Sequence, residues 1–197
     1  MIQPNYLKEG NTVAIVSTAR KILKKELIPA ITILKNWGLK IVLGKSIEAE
    51  EHQFAGNDKL RTSDFQAMLD HPEIDAVWCA RGGYGTVRII DQLDFSNFKK
   101  HPKWIIGFSD VTVLHSHIHQ LGIETLHAQM PVSIETKSKA TINSIKAILF
   151  GEHYGIRIPA ENNNINGKTS GQLIGGNLSI LYSLCGSPSA LNTKGKI

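Results

Sequence analysis

The chain is 197 residues long, with 42% hydrophobic and 20% charged residues, a formal net charge of +5 and a pI near 9.2. That balance excludes a disordered polymer and leaves room for one full domain and part of a second. Basic residues are scattered in short pairs such as Lys24-Lys25 and Lys99-Lys100, which argues against a nucleic-acid partner and for a mildly basic surface suited to an anionic substrate.

No apolar run approaches membrane-spanning length, and Met1 to Lys8 carries no signal-peptide pattern, so a cytoplasmic protein without membrane contact is expected. The two cysteines, Cys79 and Cys185, lie far apart and lack metal-ligand spacing. Both are expected to be small buried hydrophobes.

In chain order, Thr12 to Val16 is a β-branched run that reads as a first parallel strand. Leu23, Leu27, Ala30, Ile31, Leu34 and Trp37 recur at helical spacing and stop at Gly38, with Pro29 either in the first turn or bending the helix. Leu39 to Leu43 predicts a second strand. A loop follows to Gly56, then a helix opening at Asn57 or Asp58 and ending at His71-Pro72. Ala76 to Cys79 predicts a third strand, and Thr86 to Leu93 a helix. Trp104 to Ile106 predicts a fourth strand, with a helix from about Asp110 to Leu121 closed by Gly122. Ile123 to Leu126 predicts a fifth strand, and Ser138 to Phe150 a helix ending at Gly151. The alternation implies an α/β fold: a parallel sheet with helices on both faces. Residues 1–158 form the expected first domain. Residues 159–170, rich in Asn, Gly and Lys, read as a linker. Residues 171–197 read as the start of a second α/β domain, with Asn177 capping a helix.

Two loops carry the candidate chemistry. Arg81-Gly82-Gly83-Tyr84-Gly85-Thr86 follows the third strand, and its glycines let the backbone approach a ligand closely. The pattern matches neither phosphate-loop motif, and a tight strand-to-helix turn explains it equally. After the fourth strand, Gly107 marks a bend and Ser109 stands beside a helix N-terminus, where free N–H groups suit a developing oxyanion. This is nucleophile-elbow geometry without the G-x-S-x-G pattern; a capping serine is the other reading. His115, His117 and His119 cannot converge on one metal from a helix and read as surface histidines. His127, at a strand end, is placed to line a cleft.

Three blocks together, Ala80 to Gly85, Gly107 to Thr112 and Gly175 to Ser179, resemble those of LD-carboxypeptidases. These are serine peptidases of family S66, the muramoyltetrapeptide carboxypeptidases, among which are microcin-immunity peptidases. The resemblance implies a flavodoxin-like N-terminal domain, a linker and a C-terminal domain in a cytoplasmic homodimer. It implies release of terminal D-alanine from murein tetrapeptides in cell-wall recycling, without metal or cofactor. Carried over, Ser109 is the nucleophile, and the backbone amides of Asp110 and of Gly82 or Gly83 form the oxyanion hole. Arg81 is a candidate contact for the substrate carboxylate, with loop packing as its other role, and Tyr84 and His127 are candidate substrate contacts.

The family's glutamate and histidine belong to its C-terminal domain, and no residue of this chain takes those roles. His127-Ala128-Gln129-Met130 also stands where His-Gly-Pro-Met is usual. A fragment of a longer enzyme, inactive alone, is therefore expected. The alternatives are an immunity-type S66 peptidase acting on an aminoacyl nucleotide, or a flavodoxin-like ligand-binding module without chemistry. The last predicts a buried capping Ser109 and no cleft beside Gly82-Gly83.

Overall fold

A computed structural model describes residues 1–161, 163–165 and 167–197. Five parallel strands, β1 (Thr12–Val16), β2 (Lys40–Leu43), β3 (Ala76–Cys79), β4 (Trp104–Gly107) and β5 (Leu126–His127), form one sheet in the order β2-β1-β3-β4-β5. This is the flavodoxin-like order. The sequence of neighbours reverses at β1, which leads to β2 on one side and to β3 on the other.

Alternation along the strands sorts the core into two layers. Val13 and Ile15 of β1, Trp78, Trp104 and Ile106 face α1 (Lys24–Asn36) and α5 (Lys139–Leu149), which bury Leu27, Ala30, Leu34, Ile145 and Leu149 against them. Ala14, Val16, Val77, Cys79 and Ile105 face α2 (Asp58–Asp70), α3 (Ser96–Lys100) and α4 (Thr112–Gln120) through Phe65, Leu69, Phe98, Val113, Leu114 and Ile118. Each fully buried aliphatic side chain contributes about 1.5–3 kcal/mol, so the sheet is anchored from both faces. Asn57 and Ser138 cap α2 and α5 by accepting from the N–H groups of Leu60 and Thr141. Pro29 lies inside α1.

Several expectations are corrected. Thr86 to Leu93 is two 3-10 turns, Thr86–Arg88 and Ile90–Gln92, because the Thr86 N–H and hydroxyl are taken by Asp110 and Thr18 and the remaining bonds run i to i+3. The fifth strand covers only Leu126–His127; Ile123 instead bridges Ile2. Gly107 is the last residue of β4, and the sharp bend falls at Ser109. Cys185 is exposed, whereas Cys79 is buried and its thiol is pushed up to about 12, mainly by burial.

Beyond Phe150 the described chain crosses to α6 (Leu178–Ser183), which Asn177 caps as expected. This part lies along α4. The Asn177 N–H donates to the Thr112 hydroxyl at 3.0 Å, and the Ser116 hydroxyl donates to the Ser189 carbonyl. Gly176 fits against Thr112 because it lacks a Cβ, which would stand 2.4 Å from the threonine Cγ2. The third sequence block is thereby held at the start of the helix that follows Ser109.

Candidate active site

The loops after β1, β3 and β4 meet at the C-terminal edge of the sheet. Ser109 begins a 3-10 turn (Ser109–Val111) that leads into α4, and it holds a left-handed φ of 59°. A non-glycine residue there costs about 1–3 kcal/mol and persists only where its surroundings enforce it. The turn's N-cap is Phe108, and no side chain caps either the turn or α4. The capping reading of Ser109 therefore fails, because a capping serine is extended and accepts from the next turn.

Gly82 lies directly opposite. A Cβ on Gly82 would stand 3.2 Å from the Ser109 Cβ and 3.4 Å from its Oγ. Among the described residues, the N–H groups of Gly82, Gly83 and Asp110 have no acceptor within the protein. Free amide donors therefore flank the serine hydroxyl on two loops, the arrangement an oxyanion hole requires. No described side chain hydrogen-bonds that hydroxyl.

A buried polar network ties these loops together. The Asp110 carboxylate, 1% exposed, accepts from the Thr86 N–H at 2.9 Å, and its other oxygen has no partner among the described residues. Burial pushes its pKa up, against the hydrogen bonds from Thr86 and the charge of Arg61. Arg61 on α2 is itself buried and donates to the carbonyls of Thr18 at 2.6 Å and Gly85 at 2.9 Å. Its pKa is lowered, chiefly by desolvation. Sequence reasoning missed Arg61. The signal was its position four residues before Phe65 and eight before Leu69, on the apolar stripe of α2.

The other candidates are spread around this edge. One nitrogen of Arg81 donates to the Lys21 carbonyl at 3.0 Å, directing the guanidinium toward the loop after β1. Tyr84 is exposed, with its ring 6.3 Å from that of Phe54. His127, at the end of β5, packs edge-on to Phe108 and lies 5.6 Å from the His115 ring. His115 is no surface residue. It is buried on α4, and because the Gly107 carbonyl can only accept, its Nε2–H donates there at 2.9 Å while Nδ1 accepts from the Thr125 hydroxyl. Desolvation lowers its pKa to about 4, so it is a neutral clamp on the end of β4. His115 and His127 also border a cleft of about 1120 Å³ between the β5 edge and residues 171–176. Among the described residues no group of three or more His, Cys, Asp or Glu could hold a metal, and no helix is long and apolar enough to cross a membrane.

The model of the LD-carboxypeptidase N-terminal domain of peptidase S66 matches residues 13–128, which span both loops. The chain belongs to the peptidase S66 family. It is 37% identical over 202 residues to a probable murein peptide carboxypeptidase of Bacillus subtilis (strain 168), covering 99% of this chain and 63% of that protein. The muramoyltetrapeptide carboxypeptidase of Oxalobacter formigenes has the same architecture, with a TM-score of 0.79 at 26% identity, covering 92% of this chain and 62% of that one. Microcin C7 self immunity protein MccF in its wild-type apo state superposes with a TM-score of 0.82 at 23% identity, over 98% and 68% of the two chains, and shares the fold. This S66 chain thus spans under two thirds of the Bacillus relative's length.

Proposed function

We propose that this chain is the nucleophile-bearing part of a serine-type LD-carboxypeptidase that removes the terminal D-alanine from murein tetrapeptides during cell-wall recycling. The observation that carries the proposal is the left-handed Ser109, whose hydroxyl faces Gly82 between unengaged amide donors. The carboxypeptidase names of relatives that share the family support the substrate class.

In this reading Ser109 Oγ attacks the carbonyl carbon of the L,D-peptide bond as a base takes its proton. Charge collects on the carbonyl oxygen, where the N–H of Asp110 and that of Gly82 or Gly83 receive it. The C–N bond then breaks, D-alanine leaves with the proton from the conjugate acid of the base, and water hydrolyses the acyl-serine. The base and the group orienting it come from a glutamate and a histidine in the remainder of the protein. The isolated 197 residues therefore turn over orders of magnitude more slowly than the whole enzyme. We assign the enzyme to the cytoplasm as a homodimer working without metal or cofactor, with His127 and Tyr84 bordering the substrate.

The test is D-alanine release from murein tetrapeptide by the full-length enzyme, by its Ser109→Ala variant and by the 197-residue chain. Turnover only by the unmutated full-length enzyme is the expected result. An aminoacyl nucleotide cleaved in preference to the peptide would favour the immunity-type activity instead. Turnover insensitive to Ser109→Ala would overturn the serine mechanism.

A further inference from the structure

Neighbours reverse at β1, and in open α/β sheets ligands lie beyond the strand ends at such a switch point. Two loops leave the sheet there. One carries Gly82-Gly83 after β3. The other carries Arg20, four residues past the end of β1, where no motif singled it out.

Arg20 is held unusually well for an exposed residue. Its backbone bridges Phe54, its carbonyl accepts from the Ser17 hydroxyl, and the flanking Ala19 and Lys21 bond to Ala55 and Gln53. Its side chain then lies across Gly83. A Cβ there would stand 2.6 Å from the Arg20 Cδ and 3.1 Å from its Nε, and Gly83 holds a φ of 117° that few other residues adopt. Among the described residues the Arg20 guanidinium has no acceptor, whereas Arg81 is turned to the Lys21 carbonyl.

We infer that Arg20 holds the free C-terminal carboxylate of the peptide substrate and thereby makes the enzyme an exopeptidase. The inference rests on the peptidase reading of Ser109. Ser109 and Arg20 stand over consecutive residues of one loop: a Cβ on Gly82 would lie 3.4 Å from the Ser109 Oγ, and one on Gly83 would lie 3.1 Å from the Arg20 Nε. One extended residue covers about 3.5 Å, so a short piece of substrate beyond the scissile bond suffices to pass from Ser109 over Gly82-Gly83 to Arg20. A planar guanidinium matches a carboxylate in two parallel hydrogen bonds.

The test uses the full-length enzyme with murein tetrapeptide and with the same peptide bearing a primary amide in place of its terminal carboxylate. The enzyme should prefer the acid by about 100-fold in kcat/KM, and Arg20→Met should erase most of that preference by raising KM for the acid alone. Arg20→Lys, which keeps the charge without the fork, should retain part of it. Arg81→Met should leave the acid-to-amide ratio where it was. An unchanged ratio in Arg20→Met, or its loss in Arg81→Met instead, overturns the assignment. Ser109→Ala separates the two readings. Turnover that survives it sinks the serine mechanism and this inference together, whereas turnover that needs Ser109 but ignores Arg20 sinks this inference alone.

Discussion

The Asp110 carboxylate accepts a hydrogen bond from the Thr86 N–H at 2.9 Å, so the turn that carries Ser109 and the loop that carries Gly82 are one mechanical unit. Arg61 closes the unit from behind through the Thr18 and Gly85 carbonyls. Arg61→Met would leave the Thr18 carbonyl without a donor and the Gly85 carbonyl with only the Arg88 N–H. A loss of about 3 kcal/mol in urea unfolding is expected, and Arg61→Lys should recover little of it, since an ammonium replaces at most the Nη1 contacts and leaves the Gly56 carbonyl and the Asp58 carboxylate, which Nε and Nη2 reach. Unfolding curves within about 0.5 kcal/mol of the parent would contradict this role.

Gly82→Ala separates chemistry from stability. Gly82 is absent from the positive-φ residues, so its backbone tolerates a side chain, but the new methyl would meet Ser109 at 3.2–3.4 Å. Peptide turnover should fall by about 100-fold or more, because the methyl crowds the space where the oxyanion forms, while stability changes by no more than about 1 kcal/mol. Full turnover in a folded Gly82→Ala enzyme would remove this loop from the oxyanion site.

How far the sequence disclosed this arrangement depends on the kind of signal. The first strand was readable because Thr12 to Val16 is one β-branched, apolar run, and the position of Ser109 beyond the fourth strand was readable too, whereas its role as nucleophile came only from the family resemblance. Arg61 was missed although its place on the apolar stripe of α2 was a signal, because a charged side chain usually marks a solvated face and its acceptors, Thr18 and Gly85, are distant in sequence. Arg20 was invisible for a similar reason, since its significance comes from Gly83, 63 positions away, through the strand order. The helix expected over residues 86–93 failed because tertiary bonds to Asp110 and Thr18 outcompete local propensity. At five residues, α3 is too short to display a period.

His115 makes stability depend on pH. Its folded pKa, about 4, lies below the ordinary value of 6.5, so the folded state prefers the neutral ring. Above pH 6.5 both states are neutral and the full stability is present. As pH falls from 6.5 toward 4 the unfolded chain binds a proton that the folded chain refuses, and stability drops by up to on the order of 3 kcal/mol. His117, His119 and His127 are shifted the same way, so the variant isolates the contribution. His115→Gln, whose amide N–H can still reach the Gly107 carbonyl, should flatten the decline between pH 6.5 and 4 in urea midpoints. An equally steep decline would show that His115 is not its source.

Gly176→Ala tests the docking of the third block. The added Cβ would overlap the Thr112 side chain at 2.4 Å and break the fit that lets the Asn177 N–H reach the Thr112 hydroxyl. Limited proteolysis should then cut within residues 171–184 several times faster, while α4 and the sheet keep their protection. Uniform protection in the variant would show that this contact does not hold the segment.

The central claim is that Ser109 is the nucleophile, and the most direct measurement is D-alanine release from murein tetrapeptide by the full-length enzyme against its Ser109→Ala variant. The account predicts a fall in kcat of about 10⁴-fold or more, with the variant folded and still binding the peptide. Turnover within tenfold of the parent would contradict it.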